Sequence, residues 1–269
     1  MLSGLKRAVG GLTLSLLLMV EPAAIAPARA EYVVAPDVVV FCEPTLRHAV
    51  TDLGAVWRKQ TGIPVRVFTS PTWALLEQIS HRARSDIVIG EGEAASTAAT
   101  ERHLIKPETL QPLWRNQLVV AATVGEIAKA KSASPARAHD LATLAGHDTI
   151  ALVDPATALA GAEGKKALQD LGLWEAASAR SVGVVDTVDA SFLLAEGKVQ
   201  LALVYATDVA ADPAFAVTDK LPAASYAPIV YWIAQTANAL SPNAEKFAAF
   251  LREAQTQERL RADGLEVLP

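Results

Sequence analysis

The sequence predicts an α/β protein of two lobes, each a mostly parallel sheet flanked by helices, with a ligand cleft between the lobes. Short runs of β-branched residues alternate with helical patterns in two successive series, which is typical of parallel sheets. A late apolar segment, "APIVYWIA" at 227 to 234, follows the second series. This segment suits a strand that returns to the first lobe.

The first series gives the strand–helix–strand order of one lobe. "VVVF" (38 to 41) is a predicted strand, and apolar residues then recur at helical spacing from 45 to 60 until Gly62 ends the helix. Predicted strands at 64 to 68 and 86 to 89 follow, with a helix between them. The carboxyl ends of these strands should therefore meet at one edge of a sheet.

The second series repeats this order. Its predicted strands are "QLVVAA" (117 to 122), "TIALV" (149 to 153), "SVGVV" (181 to 185) and "QLALVY" (200 to 205). A helix is predicted from 159 to 171, a polar loop at 129 to 138, and a last helix with Ser241 as N-cap and Pro242 as its first residue. Lobe I is therefore predicted to comprise 31–116 and 228–269, and lobe II 117–227.

The N-terminal segment has the pattern of a secretory signal peptide. Lys6 and Arg7 precede an apolar stretch at 11 to 20, which is too short to span a bilayer, and "ARA" (28 to 30) is a small-residue cleavage site. We expect residues 1–30 to be removed after Ala30 and the protein to reside in the periplasm.

Composition excludes several classes of function. The formal net charge is −5 and no basic stripe is present, which argues against nucleic acid as a partner. Cys42 is the single cysteine, so no internal disulfide is expected. The five histidines show no metal-ligand spacing. With no nucleophile elbow or paired-carboxylate motif either, the sequence predicts no metal ligand, no catalytic residue and no enzyme.

One motif points to a nucleotide cofactor and is set aside. "GEGEAA" (90 to 95) matches G-x-G-x-x-A after a strand, a weak signal when it stands alone. Glu91 and Glu93 would repel a pyrophosphate. We therefore expect no cofactor.

Four turns lie where a cleft between the lobes would be. They are "CEPTL" after the first strand, "TSPTW" after the second, "DPATALAG" after "IALV" and "VDTVD" after "SVGVV". Thr45 and Thr72 each stand near a helix start, where a hydroxyl and a backbone N–H adjoin the positive end of the helix dipole. Simple N-capping also explains a threonine there. Four such turns together favour an anion site.

Three motifs in the second lobe resemble the periplasmic molybdate-binding proteins of ABC transporters. They are Asp154-Pro155 leading to Ala160-Gly161, the helix end Leu171-Gly172-Leu173-Trp174, and the strand end Val204-Tyr205-Ala206-Thr207-Asp208. The resemblance covers essentially the whole chain after residue 30. It implies a two-lobe periplasmic-binding-protein fold and a monomer that captures molybdate or tungstate for a membrane permease.

The resemblance also implies a ligand-binding set. The hydroxyls of Thr45, Thr72 and Tyr205 and the backbone N–H groups of Ala160 and Val188 would bind the oxyanion, with a one-residue shift from Val188 to Thr187 left open. Molybdate is a dianion at neutral pH and needs donors only, which hydroxyls and amides supply without lysine or arginine.

The chain departs from the family in its first-lobe turns. Threonines replace two serines, Pro71 removes a backbone N–H, and Trp73 is bulky. Glu43 places a carboxylate in a turn expected to bind a dianion, which would be repulsive. The direction of the Glu43 side chain is therefore a test: outward favours molybdate, and inward means that the family indicates the fold but not the ligand.

Two alternatives to molybdate transport remain open in the sequence. Glu43 could accept the proton of a protonated oxyanion such as phosphate or a phosphonate. The same fold could also act without transport, as a sensor or accessory binding protein.

Overall fold

A computed structural model describes residues 37–133 and 149–268, except for the side chains of 129–133. The predicted signal peptide lies outside these residues, as does most of the polar loop predicted at 129–138. The first part of that predicted loop, up to Ala133, is helical instead. Within the described part of the chain, no helix is long and apolar enough to cross a membrane.

Strands and helices alternate along most of the described chain. The strands are β1 (Val38–Cys42), β2 (Val65–Thr69), β3 (Ile87–Glu91), β4 (Gln111–Asn116), β5 (Leu118–Thr123), β6 (Ile150–Val153), β7 (Ser181–Val184), β8 (Leu201–Tyr205), β9 (Phe215–Lys220), β10 (Ile229–Gln235) and β11 (Glu266–Val267). The α-helices are α1 (Arg47–Thr61), α2 (Thr72–Ser80), α3 (Glu93–Glu101), α4 (Val124–Ala133), α5 (Leu159–Asp170), α6 (Trp174–Ser178), α7 (Thr187–Ala195), α8 (Ala206–Ala210), α9 (Ala244–Phe250) and α10 (Ala254–Ala262). A 3₁₀ helix, Pro44–Leu46, joins β1 to α1.

The strands form two sheets, in the orders β11-β4-β10-β3-β1-β2 and β7-β6-β8-β5-β9. Strand β1 pairs in parallel with β2 and β3, and β6 pairs in parallel with β7 and β8. The remaining pairs are antiparallel, so both sheets are mixed rather than mostly parallel. In each sheet, the parallel neighbours are connected through crossover helices. The antiparallel neighbours are not connected in this way.

The chain passes from one sheet to the other within one residue. Strand β4 ends at Asn116 in the first sheet, and β5 begins at Leu118 in the second. Strand β10 returns to the first sheet, as the sequence predicted for 227 to 234. The first sheet thus draws on 38–116 and 229–267 and the second on 118–220. The lobe boundaries themselves stay a prediction.

The last predicted helix starts later than expected. Helix α9 begins at Ala244 with Asn243 as its N-cap, and α10 follows it. The carboxylate of Asp86 accepts hydrogen bonds from the backbone N–H groups of Leu240 and Ser241, at 2.7 and 2.8 Å. These bonds hold Ser241 in a turn before the helix, where its hydroxyl accepts the N–H of Asn243 at 3.3 Å. The helix starts two residues later than predicted, so Ser241 is not its N-cap.

Helix α9 packs against α1. The ring of Trp57 lies 5.6 Å from the ring of Phe247 and 5.4 Å from that of Phe250, between centroids. Each aromatic pair contributes about 0.5–1.5 kcal/mol beyond its buried area. This packing fixes α1, and with it the turn that follows β1.

Candidate ligand-binding site

Turns from both sheets surround a cavity of about 280 Å³. Strands β1, β2 and β3 are parallel, so their carboxyl ends lie at one edge, where Glu43 follows β1, Thr72 opens α2 and Glu91 ends β3. These three residues line one side of the cavity. Asp186 and residues 155–159, which follow parallel strands of the second sheet, line the other. The cavity therefore lies where ligands bind in sheets of this kind.

The carboxyl group of Glu43 occupies the donors at the start of α2. Its Oε1 accepts hydrogen bonds from both the backbone N–H and the hydroxyl of Thr72. The Thr72 hydroxyl in turn accepts the backbone N–H of Glu91 at 3.0 Å. Glu43 is 7% exposed and Thr72 is 4% exposed. The Glu43 side chain is therefore directed inward, and it takes the hydroxyl predicted to bind an oxyanion.

A second buried carboxyl group lies beside the first. The hydroxyl of Tyr205, at the end of β8, donates to Oε2 of Glu91 at 3.1 Å. This hydrogen bond joins the end of a second-sheet strand to the end of a first-sheet strand. The Tyr205 hydroxyl, also predicted to bind the ligand, thus already has an acceptor.

A third carboxyl group takes the hydroxyl of Thr45. Thr45 donates to Oδ1 of Asp208 at 2.8 Å, and its Oγ1 lies 2.6 Å from Oγ1 of Thr207. The Nδ2 of Asn116 donates to Thr207 at 2.9 Å, and its Oδ1 accepts the N–H of Gln117, which fixes the amide orientation. Since the single hydroxyl proton of Thr45 goes to Asp208, the hydroxyl of Thr207 donates to Thr45. The chain of donors therefore ends on Asp208.

Burial raises the pKa values of these carboxyl groups. Burial raises the pKa of Glu43 to about 7; the two hydrogen bonds from Thr72 oppose the shift, and the charge of Asp186 adds to it. Burial and then the charge of Glu43 raise the pKa of Glu91 well above its usual value. The charge in this cavity therefore changes with pH in the neutral range.

Burial likewise raises the pKa values of Asp208 and Tyr205. Burial raises the pKa of Asp208 to about 6, although hydrogen bonds from Thr45 and the backbone of Tyr205 lower it, as does one from the side chain of Thr187. Burial and the neighbouring Glu91 raise the pKa of the Tyr205 hydroxyl, which remains a donor.

The two predicted backbone donors stand at helix N-termini. Ala160 is the second residue of α5, and Val188 is the second residue of α7, after the N-cap Asp186. The N–H groups of a first helical turn have no acceptor within the helix and carry the positive end of its dipole. A Cβ on Gly161 would lie 2.5 Å from the carbonyl oxygen of Asp154, so only glycine lets α5 begin this close to β6.

The five predicted residues do not all line one cavity. Thr72 lines the smaller cavity, whereas Thr45 and Val188 line a neighbouring cavity of about 560 Å³. Ala160 and Tyr205 are buried and line neither of these two cavities. Their roles in binding stay predictions.

Sequence reasoning missed three acids at the site: Glu91 and Asp208, which are buried, and Asp186, which is partly buried. Glu91 was weighed only as an obstacle to a pyrophosphate, and neither Asp208 nor Asp186 was singled out. The available signal was position: each acid ends a strand or follows one closely, as Glu43 does.

Among the described residues that line the smaller cavity there is no lysine or arginine. No group of three or more His, Cys, Asp or Glu residues in the described ranges could hold a metal ion.

Comparison with known proteins identifies the fold and the family. The chain is 25% identical over 230 residues to the molybdate-binding protein ModA of Escherichia coli, covering 86% of this chain and 89% of that protein. A periplasmic molybdate-binding protein of Azotobacter vinelandii superposes with a TM-score of 0.73 at 22% identity, covering 86% of this chain and 99% of that one. The substrate-binding domain of a putative molybdenum ABC transporter from Clostridium difficile superposes with a TM-score of 0.69 at 20% identity, with coverage of 87% and 99%.

These superpositions confirm the two-lobe periplasmic-binding-protein fold that the sequence predicted. The family model described as "Bacterial extracellular solute-binding protein" matches residues 38–266, nearly the whole described chain. The protein therefore belongs to the bacterial extracellular solute-binding protein family.

Proposed function

We propose that this protein is the periplasmic solute-binding component of an ABC importer and that it captures one tetrahedral oxyanion, molybdate or tungstate. The observation that carries the proposal is a set of three helix N-termini at the ends of strands, marked by Thr72, Ala160 and Val188. Helix N-termini bind anions without cationic side chains. The 25% identity to a molybdate-binding protein over 86% of the chain supports this ligand.

The donor set suits an oxyanion that has no proton of its own. Thr45, Thr72 and Tyr205 offer hydroxyls, and the N-termini of α5 and α7 offer backbone N–H groups. Each of these hydroxyls now donates to a carboxyl group of the protein. An oxyanion bound by these hydroxyls must therefore displace the carboxyl groups as their hydrogen-bond acceptors.

The same proposal covers location and partners. The predicted signal peptide, cleaved after Ala30, would deliver a monomer to the periplasm, where it would pass its ligand to a membrane permease. The protein would need no cofactor and no catalytic residue. In support, Cys42 is fully buried, and burial raises the pKa of its thiol, so it is not poised as a nucleophile.

One observation favours a second candidate. Glu43 is directed into the cavity, and a carboxylate in this orientation favours a ligand other than a fully deprotonated dianion such as molybdate. An ionised Glu43 could accept the proton of phosphate or a phosphonate. Similarity to molybdate-binding proteins favours molybdate, and the two candidates differ in their response to Glu43→Gln.

The test is a thermal-unfolding assay on protein purified from the periplasm after export, with molybdate, tungstate, sulfate and phosphate in turn. A ligand at 100 times its dissociation constant stabilises a protein by about 2.7 kcal/mol. For a chain of this size that corresponds to a shift of roughly 5–10 °C in the unfolding midpoint. We expect this shift with molybdate or tungstate and none with sulfate.

Two variants make the assay specific to the site. Thr72→Val removes the buried hydroxyl and should abolish the shift, whereas Thr97→Val, on the exposed face of α3, should retain it. No shift with molybdate or tungstate would refute the proposed ligand. A shift with phosphate alone that Glu43→Gln abolishes would establish the second candidate.

A further inference from the structure

Two acids meet at Thr72. Glu43 accepts both donors that Thr72 offers, its N–H and its hydroxyl, while the backbone of Glu91 donates to the same hydroxyl. Thr72 is the first residue of α2, so the Glu43 carboxyl sits where the dipole of that helix is most positive. The Glu43 carboxyl group therefore occupies the hydrogen-bond donors of a turn that the sequence predicted to bind an anion.

The groups that face Glu43 are mostly acidic. Glu91 comes from β3 and Asp186 from the N-cap of α7, and Glu93 of α3 lines the same cavity. Asp208, from α8, adds its charge next to Glu91. The charge of Glu43 also acts on Cys42, Tyr205 and Tyr231, and Arg47 acts on Cys42. Arg47 donates to Thr69, on β2, and lines the larger cavity rather than the smaller one. Among the described residues, no cationic side chain lines the smaller cavity to offset the charge of Glu43.

An ionised Glu43 and a bound dianion are incompatible in this arrangement. Both would need the Thr72 donors, and two like charges a few ångströms apart in a buried site repel strongly. Protonation of Glu43 removes the repulsion and weakens the hydrogen bonds from Thr72, because a neutral carboxyl group is a poorer acceptor than a carboxylate. The O–H of the protonated Glu43 is then a donor, which is what a fully deprotonated oxyanion requires.

We propose that oxyanion binding by this protein is coupled to the uptake of one proton by Glu43, which changes from an acceptor that blocks Thr72 into a neutral group beside the ligand. This inference rests on the proposed function and adds a specificity-determining residue to it. The proton comes from solvent, and no covalent bond to the ligand forms. Because of Glu43, the affinity of the protein for a given oxyanion depends on pH.

The pH above which binding requires a proton follows from the burial of Glu43. Burial raises the pKa of Glu43 to about 7 in the ligand-free protein. Below that pH the carboxyl is already neutral and the affinity should be flat. Above it each binding event must take up a proton, so the affinity should fall about tenfold for each pH unit.

The experiment is calorimetric titration of the full exported protein with molybdate near pH 8. Two buffers of different ionisation enthalpy give the number of protons exchanged. We expect an uptake of about one proton per molybdate bound, because most of the free protein is ionised at Glu43 one unit above its pKa. Molybdate itself stays a dianion at this pH, so the proton is not its own.

Two matched variants assign the proton to its residue. Glu43→Gln should bind without proton uptake and about tenfold more tightly than the unaltered protein near pH 8. Glu93→Gln removes an exposed carboxyl from the same cavity and should leave the uptake near one proton. If Glu43→Gln does not fold, the slope of affinity against pH between about pH 7 and pH 9 in the unaltered protein still gives the number of protons taken up, and a slope of zero overturns the coupling.

The outcomes separate this inference from the proposed function. Molybdate binding without proton uptake, or uptake that persists in Glu43→Gln, overturns the coupling and leaves the oxyanion function intact. Absence of molybdate and tungstate binding throughout that pH range overturns the proposed function and the coupling with it.

Discussion

The hydroxyl of Tyr205 donates to Oε2 of Glu91 at 3.1 Å, across the gap between the last residues of two strands in different sheets. The two residues are 114 positions apart in sequence, yet both are buried. The bond gives a buried carboxyl group the partner that it would otherwise lack.

Removing the Tyr205 hydroxyl should destabilise the protein. Tyr205→Phe leaves Glu91 without this donor, which costs about 1–3 kcal/mol. Urea unfolding near neutral pH measures the loss, and calorimetry should show weaker molybdate binding. Tyr226→Phe is the matched control, because the Tyr226 hydroxyl is also bonded, to the N–H of Leu118. This control should lose stability but retain ligand affinity; equal affinity in both variants would contradict a ligand role for Tyr205.

The hydroxyl of Thr45 can be tested by removal and rescue. Thr45→Val deprives Asp208 of one donor and interrupts the chain that starts at Asn116, so we expect a loss of about 1–2 kcal/mol of stability. Thr45→Ser keeps the oxygen and should restore most of it. The decisive measurement is the molybdate affinity of the serine variant, which should match that of the unaltered protein. Equal affinity in the valine variant would show that Thr45 serves structure alone.

Stability without ligand should fall as pH rises from about 5 to about 8. The folded-state pKa values of Glu43 and Asp208, about 7 and about 6, lie above the ordinary values of 4.5 and 3.8. Groups raised in this way stabilise the fold fully below their ordinary pKa, and that contribution is lost as pH rises through the folded pKa. The expected difference is on the order of a few kcal/mol.

Urea unfolding of the ligand-free protein at about pH 5 and about pH 8 tests whether stability falls as pH rises. Glu43→Gln should remove part of the dependence, while Glu93→Gln, with its exposed carboxyl, should leave it in place. A free energy of unfolding that rises towards pH 8 would be the opposite of the expected result.

The start of α5 depends on a residue without a side chain. In Gly161→Ala the new Cβ would lie 2.5 Å from the carbonyl oxygen of Asp154, so the helix must shift. We expect a cost of roughly 1–3 kcal/mol and, because Ala160 moves with the helix, weaker molybdate binding. Gly183→Ala, where no atom of the described residues lies within 4 Å of the added Cβ, should change neither property. Unaltered affinity in Gly161→Ala would argue against a ligand role for the Ala160 N–H.

Much of the fold could be predicted because periodicity and turn residues are local. Strand β1, helix α1 and strand β10 fall within a few residues of their predicted positions, since each has a clear apolar pattern. Strands β4 and β9 were missed because polar and charged residues interrupt their patterns. The antiparallel pairing of both also depends on which sheet the chain enters, which no local pattern specifies.

The candidate site divides in the same way. By itself the sequence determined that turns with hydroxyls and helix starts follow the parallel strands, because this depends on residue type and spacing. Only the tertiary structure decided what those hydroxyls face. Glu43 covers Thr72, Glu91 meets Tyr205, and Asp208 takes Thr45, through contacts between residues 29 to 163 positions apart. The charge state of a buried carboxyl depends on its solvation and on its neighbours in space, and both exist only once the chain has folded.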